Sequence, residues 1–149
     1  PKPQNPHFKT SIISLEMKIT EGLVAFVTGG ASGLGEAAVR RLHSQGATVV
    51  IADMNTERLD ILKNELKTRV LTLLCDVSKE SDVKDAIDKT VATFGALHVA
   101  LACAGVAWPS MTLTSKGSLD LKLFEVLIQI NLMGSVFLAK YASIAMSKN

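Results

Sequence analysis

A glycine-rich run placed directly after an apolar segment constrains the fold of this chain more than any other feature. Residues 23–27 are all apolar, and residues 28–35 then read Thr-Gly-Gly-Ala-Ser-Gly-Leu-Gly. A helical pattern of apolar residues begins at Gly33. A strand, a tight turn and a helix start together present backbone N–H groups and a helix N-terminus to one point in space. The run therefore predicts a strand–turn–helix unit whose turn accepts a phosphate group.

Apolar runs alternate with amphipathic helical patterns along the rest of the chain. The predicted strands are residues 23–28, 48–52, 70–75 and 97–102. The predicted helices are residues 33–45, one capped by Asn55, one capped by Ser78 and ended by Gly95, and a long one from about Asp120 to Ser147. Continuous apolar strands joined by helices are typical of a parallel sheet covered on both faces. The sequence thus predicts an α/β fold with a doubly wound parallel sheet of the Rossmann type and strand order 3-2-1-4.

Composition excludes several classes of function. Of the 149 residues, 48% are hydrophobic, and 16 basic and 14 acidic residues leave a net charge of +2, so a nucleic-acid partner is not expected. Cys75 and Cys103 lie in apolar runs and are predicted to be small buried hydrophobes in a reducing compartment. The three histidines, His7, His43 and His98, are scattered, so no metal site is predicted.

The first residues differ from the rest of the chain. Residues 1–10 hold three prolines, and residues 1–19 hold three lysines with Glu16 as the sole acid. We expect residues 1–18 to form a flexible N-terminal extension, either the remainder of an organelle transit sequence or a cloning remnant. Residues 19–149 are then the dinucleotide-binding domain.

The long predicted helix has apolar residues on all sides. Residues 126–139 carry no charge but include Gln129 and Asn131, and the stretch is short for a membrane span. We expect a helix buried on two faces, against the sheet and against a partner subunit, and hence no membrane partner. A homo-oligomer is consistent with this amount of apolar surface, although a missing C-terminal half of the protein would cover it equally well.

Six residues of the glycine run are candidates for the phosphate-binding turn. Gly29 permits the tight turn, and Gly33 and Gly35 permit close approach of the backbone to a ligand and to the strand. The remaining members of the loop are Ala31, Ser32 and Leu34. The alternative is an ordinary strand-to-helix turn without a ligand.

Asp53 at the end of the second strand predicts which dinucleotide is bound. A carboxylate there can accept hydrogen bonds from both adenosine ribose hydroxyls and would repel a 2′-phosphate. Ala31 and Ser32 supply no cation, and Arg58 is expected one turn into the following helix. We therefore predict NAD rather than NADP. The alternative role for Asp53 is a solvated helix cap.

The ends of the later strands supply further candidates. Asp76 and Val77 end the third strand, where the adenine ring would lie, although they also suit a simple turn. Small residues at Cys103, Ala104 and Gly105 end the fourth strand and let the chain pass beside the cofactor, or they merely terminate the strand. In the long helix, Asn131 is polar among apolar neighbours, so it needs partners: it could hold a kink, a water or a purely structural hydrogen bond.

Together these residues resemble the short-chain dehydrogenase/reductase family. The matches are the full Thr-Gly-x-x-x-Gly-x-Gly motif at residues 28–35, the acidic residue Asp53, the Asp-Val pair at Asp76 and Val77, and the helix asparagine Asn131. The family's Asn-Asn-Ala-Gly is matched only at Ala104 and Gly105, because Ala102 and Cys103 replace the asparagines.

The resemblance implies an oxidoreductase that moves a hydride between NAD and a secondary alcohol. A subgroup whose substrates are 3-hydroxyacyl-CoA thioesters or hydroxysteroids is similar in the glycine run and around Asn131, which implies a mitochondrial tetramer, with a cytoplasmic location as the alternative. Relatives of that subgroup also act as scaffold subunits.

The family's catalytic group of Asn, Ser, Tyr and Lys is matched only at Asn131. Tyr141 is the sole tyrosine, and Ala145 stands where Tyr-x-x-x-Lys needs its lysine. The fourth predicted strand would also be an apolar edge of the sheet. The sequence is therefore interpreted as the N-terminal part of a longer enzyme, inactive alone. The alternative is a non-catalytic module that binds NAD or a partner.

Overall fold

The computed structural model describes residues 19–109, 111–115 and 117–149. Four parallel strands form one sheet in the order β3-β2-β1-β4, which confirms the predicted doubly wound topology. The strands are β1 (Val24–Thr28), β2 (Thr48–Asp53), β3 (Val70–Leu74) and β4 (Val99–Ala102), and the helices between them are α1 (Gly33–Ser44), α2 (Thr56–Leu66) and α3 (Glu80–Phe94). The predicted N-terminal extension, residues 1–18, lies outside the described residues.

The core forms two layers because successive side chains of a strand point to opposite faces of the sheet. Phe26 of β1 packs into the cluster beneath α3 and the C-terminal helix, whereas the next residue, Val27, packs into the cluster beneath α1 and α2. Both side chains are fully buried. The parallel register aligns Thr28 of β1 with Ala52 of β2 and Ala102 of β4, so the carboxyl ends of these strands meet at one edge.

Local capping signals were partly right. Asn55 accepts a hydrogen bond from the Arg58 N–H at 3.0 Å and caps α2 as predicted. Gly95 ends α3 in the left-handed region with φ 80°, also as predicted. The Ser78 cap was wrong: α3 starts after Lys79, and Ser78 instead donates its N–H and its hydroxyl to Asp76. The carboxylate of Asp76 accepts both of these hydrogen bonds in a tight turn that precedes the helix.

The long C-terminal helix has three parts. Two α-helices, α4 (Leu121–Ile128) and α5 (Gly134–Met146), flank a π-helical turn at Gln129–Met133. Within the described residues, α4 buries no side chain and α5 buries one face only, with Leu138 and Ala142 against α3 and the sheet. The predicted packing against the sheet is present for α5, and burial of the second face against a partner subunit stays a prediction.

The same helix passes a simple test for membrane spans. Residues Leu121–Met146 are long and apolar enough to cross a bilayer by length and composition, with 11% of the apolar window buried. A single such helix is weak evidence. The polar side chains of Gln129 and Asn131 in its middle both bond to backbone atoms of neighbouring loops, as a helix packed on a protein surface does.

A loop of 18 residues, 103–120, separates β4 from α4 and carries a short antiparallel pair, β5 (Leu113–Thr114) with β6 (Gly117–Ser118). Trp108 and Leu113 of this loop are exposed. Strand β4 lies at the sheet edge, and its residues are half-buried or exposed within the described part of the chain. The predicted apolar edge is therefore present.

Candidate functional site

A cavity of about 420 Å³ opens where the strands end, at the edge of the sheet predicted to bind a ligand. Most of the predicted site residues line it: Gly29, Ser32, Gly33, Leu34, Asp53, Asp76, Val77, Cys103, Ala104 and Gly105. The other two predicted site residues, Ala31 and Asn131, do not line it. Met54, Cys75, Val106 and Ile130 also line the cavity and were not predicted. Met54, Cys75 and Val106 are each the sequence neighbour of a predicted site residue, which is the signal that could have found them.

Two glycines of the loop are needed for different reasons. Gly29 has φ +62°, and a Cβ there would meet the backbone nitrogen of Ala104 at 2.6 Å. Gly33 has φ +53°, but a Cβ there would meet nothing within 4 Å. Gly29 therefore lets β1 and the end of β4 come together, while Gly33 borders open space in the cavity. At Gly35 a Cβ would overlap the carbonyl of Gly29, so helix and loop are also in close contact.

The N-terminus of α1 faces the cavity. The first helical hydrogen bond runs from the Glu36 N–H to the Ser32 carbonyl at 3.0 Å, so the N–H groups of Gly33, Leu34 and Gly35 precede it. Ser32 makes no side-chain cap. The Leu34 side chain is 87% exposed at the cavity mouth, which is unusual for a leucine and suits a ligand that covers it. Free N–H groups and the helix dipole favour an anion here.

Asp53 joins β2 to the glycine loop. One carboxylate oxygen accepts the Ala31 N–H at 3.0 Å, and the other accepts the Asn55 N–H at 3.0 Å. A carboxylate has about four acceptor positions, so capacity for further donors in the cavity remains. The buried Ala31 therefore acts through Asp53, which it orients, and not by lining the cavity.

Arg58 lies in the first turn of α2, as expected, but its side chain reaches back to the loop. Its Nε donates to the Ala31 carbonyl at 3.2 Å, and its guanidinium pairs with Glu36 of α1. Glu36 also pairs with Arg40 at 2.9 Å. Hydrogen bonds from Arg40 and Arg58 lower the pKa of Glu36, so it stays ionised. Sequence reasoning missed this network because its members come from two separate helices.

The turn after β3 is held by Asp76. Its carboxylate accepts the Ser78 hydroxyl at 2.6 Å, and this bond is the main reason that the pKa of Asp76 is lowered. Gln129 of the π-helical turn donates to the Ser78 carbonyl at 2.9 Å. Gly134 lies so close that a Cβ there would meet the Val77 side chain at 3.0 Å. The π-helical turn and α5 thus position this wall of the cavity.

The end of β4 is tied to β1 by Thr28. The Thr28 hydroxyl accepts the N–H groups of Cys103 and Ala104 at 3.3 and 3.4 Å. The expectation that both cysteines are buried was wrong for Cys103, which is exposed at the cavity because the strand ends there. Cys75 is buried, and desolvation raises the pKa of its thiol to about 11.

Asn131 is engaged in a structural contact. Its amide group donates to the Val106 carbonyl at 2.8 Å and accepts the Val106 N–H at 2.9 Å. The backbone carbonyl of Asn131 accepts a hydrogen bond from the Ser135 hydroxyl at 2.8 Å. Both polar atoms of the side chain are therefore used to hold the loop after Gly105. A π-helical turn is often found at functional sites, and here it turns Asn131 toward that loop.

Comparisons with known proteins agree with this geometry. A model of the short chain dehydrogenase family matches residues 23–149. Similar relatives are (+)-borneol dehydrogenase 1 of Salvia officinalis, 38% identical over 87% of this chain and 49% of its own length, and borneol dehydrogenase, mitochondrial, of Lavandula x intermedia, 38% identical over 91% and 51%. The 3-hydroxyacyl-CoA dehydrogenase type-2 of Bos taurus is 37% identical over 87% and 50%. The chain spans about half the length of these relatives. It belongs to the short-chain dehydrogenase/reductase family.

Proposed function

We propose that the cavity holds NAD and that the protein moves a hydride between NAD and a secondary alcohol. The family uses nicotinamide cofactors, NAD or NADP. The observation that carries the choice of NAD is Asp53, a carboxylate at the cavity wall whose neighbouring cation, Arg58, is already paired with Glu36. A 2′-phosphate would meet negative charge there, whereas ribose hydroxyls would meet an acceptor.

The residues present fit a dinucleotide along the whole edge of the sheet. The open space at Gly33 and the free N–H groups of α1 suit the pyrophosphate, and Asp53 suits the adenosine ribose. The turn at Asp76 and Val77 would border the adenine ring. The small residues from Cys103 to Gly105 would leave room for the nicotinamide end.

The bound nicotinamide would supply the hydride acceptor, and the alcohol proton needs a base. In the described residues the only tyrosine, Tyr141, cannot serve: its hydroxyl donates to Glu80 at 2.8 Å, and Lys140 pairs with the same carboxylate at 2.8 Å, on the surface between α3 and α5. Asn131 acts here as a positioning residue for Val106. We infer that this 149-residue chain binds NAD and that it alone does not oxidise an alcohol.

For the whole protein, we propose a 3-hydroxyacyl-CoA or a hydroxysteroid-like alcohol as substrate, because the similar bovine protein bears the first of these names. A homotetramer in mitochondria is the accompanying proposal; one relative's name includes that compartment. A second candidate is a module that binds NAD or a partner without turnover; it is supported by Tyr141 and Lys140, which are both bound to Glu80 and do not line the cavity.

The test replaces the proposed ribose acceptor. Asp53→Ala should weaken NAD binding about tenfold or more, because hydrogen bonds to charged groups contribute about 1.5–3 kcal/mol. Asp60→Ala, at an exposed site on α2, is the control and should bind NAD as the parent chain does. An unchanged dissociation constant for Asp53→Ala by calorimetry would contradict the proposal. NADH formation from a short 3-hydroxyacyl-CoA by the 149-residue chain would contradict its inactivity and exclude the second candidate.

A further inference from the structure

A chain of ion pairs crosses from the glycine loop to the outer surface of α1 and α2. Arg58 pairs with Glu36, Glu36 pairs with Arg40, and Arg40 pairs with Glu65. Glu36 is the most sheltered member, with 18% of its side chain exposed, whereas Arg58 is 39% exposed. Two cations therefore share one carboxylate at the end of the network nearest the cavity.

The glycine loop is held at one residue from both sides. The Ala31 N–H is bound by Asp53 at 3.0 Å, and the Ala31 carbonyl is bound by the Nε of Arg58 at 3.2 Å. Arg58 and Asp53 therefore both bind the backbone of Ala31. An arginine placed there, with its charge unneutralised, would favour a phosphate on the adenosine ribose, because guanidinium groups bind phosphate through paired N–H donors.

Glu36 forms an ion pair with the guanidinium of Arg58. We propose that cofactor choice is determined by two carboxylates, Asp53 directly and Glu36 through Arg58, with Glu36 acting as a specificity-determining positioning residue. The proposal rests on the proposed NAD site and assigns a role to a residue that does not line the cavity. It predicts that the preference for NAD is lowered when Arg58 is released, even though Asp53 is intact.

The experiment measures dissociation constants for NAD and NADP by calorimetry on the intact chain and its variants. In Glu36→Gln, the ratio of the NADP constant to the NAD constant should fall about fivefold to tenfold, since one charged phosphate contact is gained. Adding Arg58→Gln to it should restore the parent ratio. Glu65→Gln, which breaks the outer pair with Arg40 at 2.6 Å, is the matched control and should leave the ratio unchanged.

The outcomes are distinguishable. A purely structural role for Glu36 would weaken binding of both cofactors alike and leave the ratio within about twofold of the parent value, which overturns the proposal. Persistence of the lowered ratio in the double variant would also overturn it. If Glu36→Gln does not fold, Glu36→Asp keeps the charge but shortens the reach to Arg58, and the same fall in ratio is expected. Failure of the parent chain to bind NAD would instead refute the proposed site itself.

Discussion

Replacing Gly29 and Gly33 by alanine, one at a time, separates the two uses of the glycine loop. Both residues have positive φ, +62° and +53°, so each alanine incurs a comparable backbone cost of about 1–2 kcal/mol. Their surroundings differ: a Cβ at Gly29 would lie 2.6 Å from the Ala104 nitrogen, whereas a Cβ at Gly33 would enter open space. Each variant is thus the control for the other.

The expected effects on stability follow from that contrast. Gly33→Ala should lower the free energy of unfolding by about 1–2 kcal/mol, the backbone cost alone. Gly29→Ala must also push the end of β4 away from β1, which adds about 1–3 kcal/mol, for a total of about 2–5 kcal/mol. Urea unfolding followed by circular dichroism measures both values, provided that the slopes with denaturant agree.

The two variants should affect NAD binding in the opposite order. A methyl group at Gly33 occupies space assigned to the pyrophosphate, so Gly33→Ala should weaken NAD binding more than Gly29→Ala does in the folded fraction. Equal losses of stability in the two variants would refute the argument from close approach of the strands. Unchanged NAD affinity in Gly33→Ala would refute the placement of the ligand beside that residue.

Three further predictions concern the walls of the site. Asn131→Ala should lower stability by about 1–3 kcal/mol, measured by thermal unfolding, because the N–H and carbonyl of Val106 lose their partners; no change would refute that structural role. Iodoacetamide at about pH 8 should modify the exposed Cys103 and leave Cys75 unmodified, because a pKa of about 11 keeps the Cys75 thiol protonated. Bound NAD should slow the modification of Cys103, which mass spectrometry measures. Modification of Cys75 before Cys103 would contradict the burial of Cys75. Because folding lowers the pKa of Glu36 from 4.5, the contribution of Glu36 to stability is fully present above pH 4.5 and is lost as the pH falls through the pKa of the folded state. Glu36→Gln should therefore reduce the loss of unfolding free energy at acidic pH. An unchanged dependence of stability on pH in this variant would contradict the role of Glu36.

The sheet and most of the cavity could be predicted because they depend on local patterns. Apolar runs interrupted by helical spacing indicate which segments are strands, and the Rossmann topology that the glycine run suggests then predicts the order 3-2-1-4. Residues at the carboxyl ends of parallel strands meet at one edge, so Asp53, Asp76 and Cys103 could be assigned to a common site from the sequence. Asn131 could be singled out as a polar residue among apolar neighbours that needs hydrogen-bond partners.

Features that depend on distances between elements could not be predicted. The contact of Arg58 with Ala31 and Glu36 depends on how closely α1 and α2 pack, and nothing in the sequence states that spacing. The Ser78 cap failed because its hydroxyl donates to the Asp76 carboxylate in the preceding turn and does not accept a helix N–H. The end of the fourth strand at Ala102 was predicted, but the exposure of Cys103 was not, because it depends on which other elements cover the chain after the strand ends.

Amide chemical-shift mapping with NAD tests the central claim most directly. The account predicts that titration of the isotope-labelled chain shifts the amides around the cavity, at Gly33, Leu34, Asp53, Val77 and Ala104. It also predicts that the amides of the groove between α3 and α5, around Val91 and Ile144, stay unchanged. Shifts confined to that groove, or no shifts at millimolar NAD, would contradict a dinucleotide site at the carboxyl end of this sheet.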